Sequence, residues 1–307
     1  MTLPLWIFGL LLIGPTGAHR LNHFPENFVV AKRGEENTVT LTCSTKINQT
    51  VTWIFEHFTT EHLGDRAQQD GQNLKLSDVD TPMLGEYSCW RGEEMLSSTH
   101  LLLEALEEDE LDSLINCSAN SYDCKFSCNW TNPRYTVVRL GLGHDCSEGV
   151  KSCHWVNSSN QTQDGGFQFQ LSHSLSPYAE ESTKLELTAE AIINDSFLRR
   201  TKRFYLRDII KPEIPQVVTC QEVDQDLNVT IYPPPSWSTP HSFFSLEHQI
   251  EYRLQDDGKI GYSSSSLIPK RVSELRVRCR DSLVLSKWSN WTPWKKVIYN
   301  KSGTVCS

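Results

Sequence analysis

The chain has 307 residues, with 38 Asp and Glu against 29 Lys and Arg for a formal net charge of −9. That sign argues against nucleic acid or an anionic membrane surface, which would want a basic face, so neither is expected as a partner. The length exceeds one ordinary core and points to two or three domains of roughly 100 residues each.

Residues 1–18, MTLPLWIFGLLLIGPTGA, carry an apolar stretch from Leu3 to Ile13 and then small residues at Thr16 and Ala18. This is the pattern of a signal peptide cut near Ala18. No later stretch reaches the roughly 20 apolar residues of a membrane-crossing helix. The mature chain is therefore read as secreted and extracellular, with no membrane insertion. The ten cysteines then read as disulfide material rather than reduced thiols. Nine N-x-S/T triplets, at Asn48, Asn116, Asn129, Asn157, Asn160, Asn194, Asn228, Asn290 and Asn300, are glycosylation acceptors that agree with the secretory route, although chance supplies several of them.

In 19–105, runs such as NTVTLTC and QTVTWIF are rich in β-branched residues and bounded by polar turns, so they read as strands. Cys43, Trp53 and Cys89, with Tyr87 two residues before the second cysteine, reproduce the immunoglobulin pattern of a tryptophan packed on an inter-sheet bridge. The short spacing of the cysteines implies a compact strand set without the variable-type additions. The acidic run EALEEDELD (104–112) is a solvated face or a link to the next domain.

A second unit, 106–211, is dominated by CSANSYDCKFSCNW, in which Cys117, Cys128 and Trp130 make a C-x10-C-x-W signature. Two cysteines so spaced can bridge adjacent antiparallel strands, with the tryptophan two residues on facing the same side. Pro212 and Pro215 of KPEIP cannot sit in a central strand and mark a stiff boundary. The third unit, 212–307, ends in RVRCRDSLVLSKWSNWTPW. Strand period two places Arg276, Arg278 and Arg280 on one face, ready to stack on Trp288 and Trp291. Several cation–π contacts of about 0.5–2 kcal/mol each would stiffen this domain, so the ladder is read as structural rather than as a ligand contact.

Nothing in the chain supports catalysis. It contains no G-x-S-x-G, H-E-x-x-H or phosphate loop, and its ten histidines share no spacing. Cys124, Cys128, Cys146, Cys153 and His154 lack the paired C-x2-C knuckles of a zinc site. No catalytic residue, cofactor or metal is expected, and the chain is read as a binding protein.

An immunoglobulin domain, C-x10-C-x-W, a proline hinge and W-S-x-W-S, here WSNWT (288–292) with Thr292 in place of the last serine, together resemble the plan of class I cytokine receptors. FYLRDIIKPEIP (204–215) and WSTPHSFFSL (237–246) narrow this to the interleukin-12 beta-chain family. The resemblance implies an all-β fold: an N-terminal immunoglobulin-like sandwich followed by two fibronectin type III-like sandwiches. It implies a secreted beta subunit of a heterodimeric cytokine in immune signalling. Such a subunit holds a four-helix alpha subunit at the elbow of its second and third domains and presents it to a cell-surface cytokine receptor. A homodimer is the competing assembly, and a soluble alpha receptor for an interleukin-6-like cytokine is the alternative reading.

In that family a partner arginine enters an aromatic pocket with a carboxylate at its base. The matching positions are Tyr122, Phe243, Asp281 and Leu283. The family has tyrosines where Phe243 and Leu283 stand. From the residues alone, Asp281 reads equally as an exposed loop carboxylate, and Tyr122 and Phe243 as packing residues. The family also links its subunits through a cysteine just before an AEES-like stretch, whereas this chain has SPYAEES (176–182) without one. The second unit holds Cys117, Cys124, Cys128, Cys146 and Cys153, and the third Cys220, Cys279 and Cys306. Odd numbers leave a thiol in each unless a bridge crosses, so Cys124, Cys146 and Cys153 are the candidates for an interchain bond. The resemblance also implies a mannose on Trp288.

Overall fold

The computed structural model describes residues 21–34, 37–44, 50–106, 111–158, 160–161, 163–179, 181–300 and 303–307. The signal-peptide segment, Asn48 and part of the acidic run lie outside them. Among the described residues no helix is long and apolar enough to cross a membrane. The described residues fall into two compact units: those up to Leu106 with Arg134–Val137 and Ala191–Leu198, and the remainder.

The first unit contains strands β1 (Phe28–Ala31), β2 (Thr38–Thr42), β3 (Thr52–Phe55), β4 (Phe58–Thr59), β5 (Ala67–Asp70), β6 (Asn73–Ser77), β7 (Gly85–Arg91) and β8 (Glu94–Glu104). They make a β2-β6-β5 sheet and a β4-β3-β7-β8 sheet, with β1 added in parallel to β8. Alternation does the sorting: in β2 Val39 and Leu41 turn inward while the threonines face water, as a half-buried strand requires. The Cys43–Cys89 disulfide lies in the core, and Trp53 stands directly opposite Cys89 in the β3–β7 register. The buried Tyr87 hydroxyl donates to the Met83 carbonyl at 2.8 Å, the tyrosine corner of immunoglobulin-like sandwiches.

After Leu106 the chain forms β9 (Ile115–Ser118), β10 (Lys125–Trp130), β11 (Val137–Leu142), β12 (Trp155–Asn157), β13 (Asn160–Gln161), β14 (Phe167–Ser172), β15 (Leu185–Ile193) and β16 (Ser196–Phe204), with Val137, Ala191–Ile193 and Ser196–Leu198 counted in the first unit. Their sheet orders are β13-β14-β10-β9 and β12-β11-β15-β16. Cys117 and Cys128 are opposed in the β9–β10 register and bonded, and Trp130 is buried on the same side as Cys128. A further disulfide joins Cys146 to Cys153. It packs so tightly on β11 that a Cβ at Gly141 would stand 2.5 Å from the Cys146 sulfur, so that position admits glycine alone.

After β16 a short helix, Leu206–Ile209, leads to the two prolines. The segment is tied back by Ala119 N–H to the Ile209 carbonyl at 2.9 Å and Lys211 N–H to the Ala119 carbonyl at 2.8 Å. Then come β17 (Gln216–Val223), β18 (Asp226–Tyr232), β19 (Leu246–Leu254), β20 (Ile260–Ser263), β21 (Leu267–Pro269), β22 (Val272–Asp281), β23 (Lys295–Asn300) and β24 (Gly303–Cys306). They are ordered β17-β18-β21 and β20-β19-β22-β23-β24 around Leu227, Val229, Ile250, Leu275 and Val277. The Cys220–Cys306 disulfide joins the first and last of these strands. The chain is thus all-β, an immunoglobulin-like sandwich followed by fibronectin-type sheets.

Candidate interaction site and the arginine–tryptophan ladder

Two polar clusters of the second unit sit close together in sequence on β22 and differ in how they are satisfied. The first is built on Asp281, the last residue of β22. The strand alternates strictly from Leu275 onward, so Asp281 falls on the inward side with Val277 and Cys279 and is only 3% exposed. The reading of this residue as an exposed loop carboxylate is therefore corrected: strand phase carries it into the interior. Its Oδ1 accepts the backbone N–H groups of Leu283 at 2.8 Å and Val284 at 2.9 Å, and its Oδ2 accepts the Tyr122 hydroxyl at 3.1 Å. All three donors are neutral. Among the described residues no lysine, arginine or histidine forms an ion pair with this carboxylate.

Tyr122 lies on the β9–β10 connection and is fixed by its N–H donating to Ser238 Oγ at 3.0 Å. Its ring stacks on Phe244 at 5.4 Å and meets the edge of Trp237 at 5.8 Å. Burial first, and the negative Asp281 beside it second, hold the phenol well above its usual range, so it remains a donor toward the carboxylate. Trp237 is anchored by its indole N–H donating to the Phe244 carbonyl at 2.8 Å.

The structure brings Tyr122 and Asp281 together and separates the other two site residues from them. Phe244, not Phe243, packs on Tyr122. Phe243 is 57% exposed, with ring contacts to Phe244 at 4.8 Å and Tyr178 at 5.7 Å. Leu283 is 85% exposed and touches the cluster through its backbone N–H. Tyr178, itself exposed, donates its hydroxyl to the Thr239 carbonyl at 3.1 Å. Sequence reading passed over Tyr178, Trp237 and Phe244. The Trp237 and Phe244 signal was present in WSTPHSFFSL, but which phenylalanine of the doublet turns inward is decided by packing.

The second cluster is the ladder. Arg280 lies over Trp288 at 4.4 Å, Arg278 over Trp288 and Trp291 at 4.7 and 4.5 Å, and Arg276 over Trp291 and Trp294 at 4.9 and 4.6 Å. Arg253 of β19 reaches Trp294 at 5.3 Å. The ladder is one rung longer than the sequence reading. The three-residue step from Trp288 through Trp291 to Trp294 was the available signal.

Antiparallel register places Glu247, Gln249 and Glu251 of β19 opposite Arg280, Arg278 and Arg276. Each arginine bonds its partner: Arg280 pairs with Glu247, Arg278 donates to Gln249 Oε1 at 2.9 and 2.6 Å, and Arg276 pairs with Glu251 at 2.7 Å. The hydroxyls of Ser286, Ser289 and Thr292 accept the N–H groups of Asp281, Cys279 and Val277, each at 3.0 Å. Threonine at 292 therefore supplies the one atom this position needs.

A smaller arrangement of the same kind was not legible in advance. The fully buried Glu190 takes Arg139 on one oxygen at 2.7 Å and Arg199 on the other at 2.8 Å, while Arg139 lies over Trp155 at 4.3 Å. Its members come from four strands, and no local motif unites them.

The cysteines narrow the interchain candidates. Cys146 and Cys153 are bonded to each other, which removes both, because the seven-residue separation folds them onto one another. Cys124 keeps an exposed thiol, two residues past Tyr122, and Cys279 keeps a buried one. Burial pushes the Cys279 thiol up to about 11, so it stays protonated and unreactive. Of the acceptor asparagines, Asn116, Asn129, Asn157, Asn194, Asn290 and Asn300 are exposed and Asn228 is half-buried. The side chain of Asn160 lies outside the described residues.

A family model described as cytokine interleukin-12p40 C-terminus matches residues 112–193. Interleukin-12 subunit beta of Homo sapiens is 27% identical over 284 residues, covering 82% of this chain and 84% of that one. The Felis catus protein of the same name is 27% identical over 285 residues, covering 82% and 84%. That of Ovis aries is 28% identical over 291 residues, covering 83% and 85%. These relatives carry the name of a cytokine subunit and not of an enzyme. Along most of its length, then, the chain is similar to interleukin-12 subunit beta, as its motifs had indicated.

Proposed function

We propose that the chain is the secreted beta subunit of a heterodimeric cytokine, which binds a four-helix alpha subunit over Tyr122 and Asp281 and presents it to cell-surface receptors. The observation that carries this reading is the buried Asp281 carboxylate, which among the described residues meets no cation and accepts hydrogen bonds only from neutral donors. A carboxylate taken from water without a cation is costly, and the exposed Tyr178 and Phe243, which reach Tyr122 through Phe244, together with the exposed Leu283 two residues past Asp281, are the apolar surface a partner would cover. A carboxylate offers about four acceptor directions, of which the internal donors use three. An incoming guanidinium would therefore give one N–H to Asp281 Oδ2 and a second to the Tyr122 oxygen, rather than gripping both carboxylate oxygens. Four disulfides support an extracellular setting.

In this reading Cys124 supplies the covalent link. It is the exposed thiol of the described residues, and it stands next to the docking surface. The test is capture of the tagged full-length chain from the medium of producing cells, with mass spectrometry of what accompanies it, with and without reductant. A stoichiometric four-helix chain released by reductant is expected. Recovery of the chain alone, or of a disulfide-linked pair of itself, would overturn the heterodimer in favour of a soluble receptor or a homodimer.

A further inference from the structure

The solvent face of the β13-β14-β10-β9 sheet carries an arrangement that the partner site does not use. Asn129 stands directly opposite Asn116 in the β9–β10 register and opposite Gln168 in the β10–β14 register, and Asn160 is next across from Gln168. The first residues of three acceptor triplets thus share one transverse backbone row. Asn116, Asn129 and Gln168 are all exposed, while Ile115, Trp130 and Phe167, which neighbour them along their strands, are buried. The rest of the face consists of Ser118, Lys125, Ser127, Gln170 and Ser172, with no apolar side chain for a protein partner to dehydrate.

The spacing of the first two asparagines follows from the ladder. Thr131 N–H bonds the Leu114 carbonyl at 2.9 Å, and antiparallel pairs alternate between hydrogen-bonded and non-hydrogen-bonded types. Two residues inward, Asn116 and Asn129 are again a hydrogen-bonded pair, with Cα atoms about 5.5 Å apart. Between them and the next pair lies the closer, non-hydrogen-bonded pair Cys117 and Cys128, with Cα atoms at 4.1 Å. At that spacing an N-acetylhexosamine ring on one asparagine would compete with a ring on the other for the same space.

The chemistry sharpens the conflict. In N-glycosylation the asparagine amide nitrogen bonds the anomeric carbon of a lipid-linked oligosaccharide. The anomeric C–O bond to the lipid diphosphate breaks, and the amide loses a proton to solvent. The triplet must be extended and accessible for that step. Cys117 is the middle residue of the first triplet, and Cys128 immediately precedes the second. Closure of their bridge locks both triplets into the sheet together.

We infer that Asn116 and Asn129 are a single N-glycosylation site with two alternative acceptors, so that each molecule carries one glycan there and never two. That glycan covers the polar face of this sheet. The inference is independent of the heterodimer reading.

The test uses the full-length secreted chain, digested without reduction so that the two segments stay joined through Cys117 and Cys128. Enzymatic deglycosylation in heavy-oxygen water then tags each formerly occupied asparagine, and the tags are counted per joined peptide. One tag per joined peptide is expected. Molecules with two tags, or no tag at either position throughout, would overturn the inference. As a second measurement, N116Q and N129Q should each keep the glycan number of the natural chain, and the double variant should have one fewer. Loss of a glycan in either single variant would show independent sites and sink the proposal.

Discussion

The ladder and the Asp281 cluster both hang on β22, yet they end in opposite states. Every arginine of the ladder finds an aromatic face and a carboxylate or amide within the same domain. Among the described residues Asp281, one residue past Arg280, receives hydrogen bonds from neutral groups alone. A set of charges that is closed on itself stabilises a fold. A buried charge without an internal cation is what the proposed recognition of a partner would use, because a buried pair gains orientation and specificity when the second ion arrives from outside.

The largest effect that would break this contrast is on Asp281→Asn. This change keeps an oxygen for the Leu283 and Val284 amides but removes the charge, so the free chain should unfold at nearly its normal temperature. Partner affinity should fall by about 3–5 kcal/mol, roughly a hundred- to a thousandfold or more, read by binding kinetics on purified chain. Unchanged affinity would mean the carboxylate is a loop cap and nothing more.

The mirror experiment is Arg278→Ala. It removes stacking on two tryptophans and two bonds to Gln249, and should cost about 1–3 kcal/mol of stability. Secreted yield should drop while affinity per folded molecule is retained. Normal yield with lost binding would turn the ladder into a contact surface.

A smaller effect is expected for Phe243→Ala at the rim. Removing an exposed aromatic anchor should weaken the complex by about 1–2 kcal/mol and change stability by less than about 0.5 kcal/mol. Calorimetry of the free chain alongside binding measurements separates the two.

The smallest effect concerns pH. His248 faces Cys279 across β19 and β22, its Nε2 is buried without a hydrogen bond, and burial lowers its pKa. Below an unfolded-state value of about 6.5 the unfolded chain binds a proton that the folded chain refuses, so stability falls as pH drops. The slope should stay under the roughly 1.4 kcal/mol per pH unit set by one whole proton. His248→Gln should flatten the profile between pH 7 and pH 5. An unchanged profile would place the acid sensitivity elsewhere.

Much of the fold was legible because its signals are local. Period-two alternation marked β2 and β22, and the Cys–Trp–Cys spacing marked the first sandwich. The Arg/Trp ladder was readable since its two halves lie within one stretch of β22 and the segment after it. The carboxylate and amide partners of that ladder were not readable, because Glu247, Gln249 and Glu251 meet it through a strand register that spans some thirty residues. The Arg139–Glu190–Arg199 group was invisible for the same reason.

Sequence alone settled the residue types available to each strand face, since side-chain direction along a strand follows from counting by two. It also indicated the Cys117–Cys128 pairing, which a short antiparallel return allows and the structure contains. Only the tertiary structure decided that Phe244 rather than Phe243 supports Tyr122, that Cys146 and Cys153 consume each other and leave Cys124 exposed, and that Asp281 is buried with no cation beside it among the described residues. These outcomes depend on which distant groups arrive at 3–6 Å, and that is fixed by packing and register across the sheets rather than by any one segment.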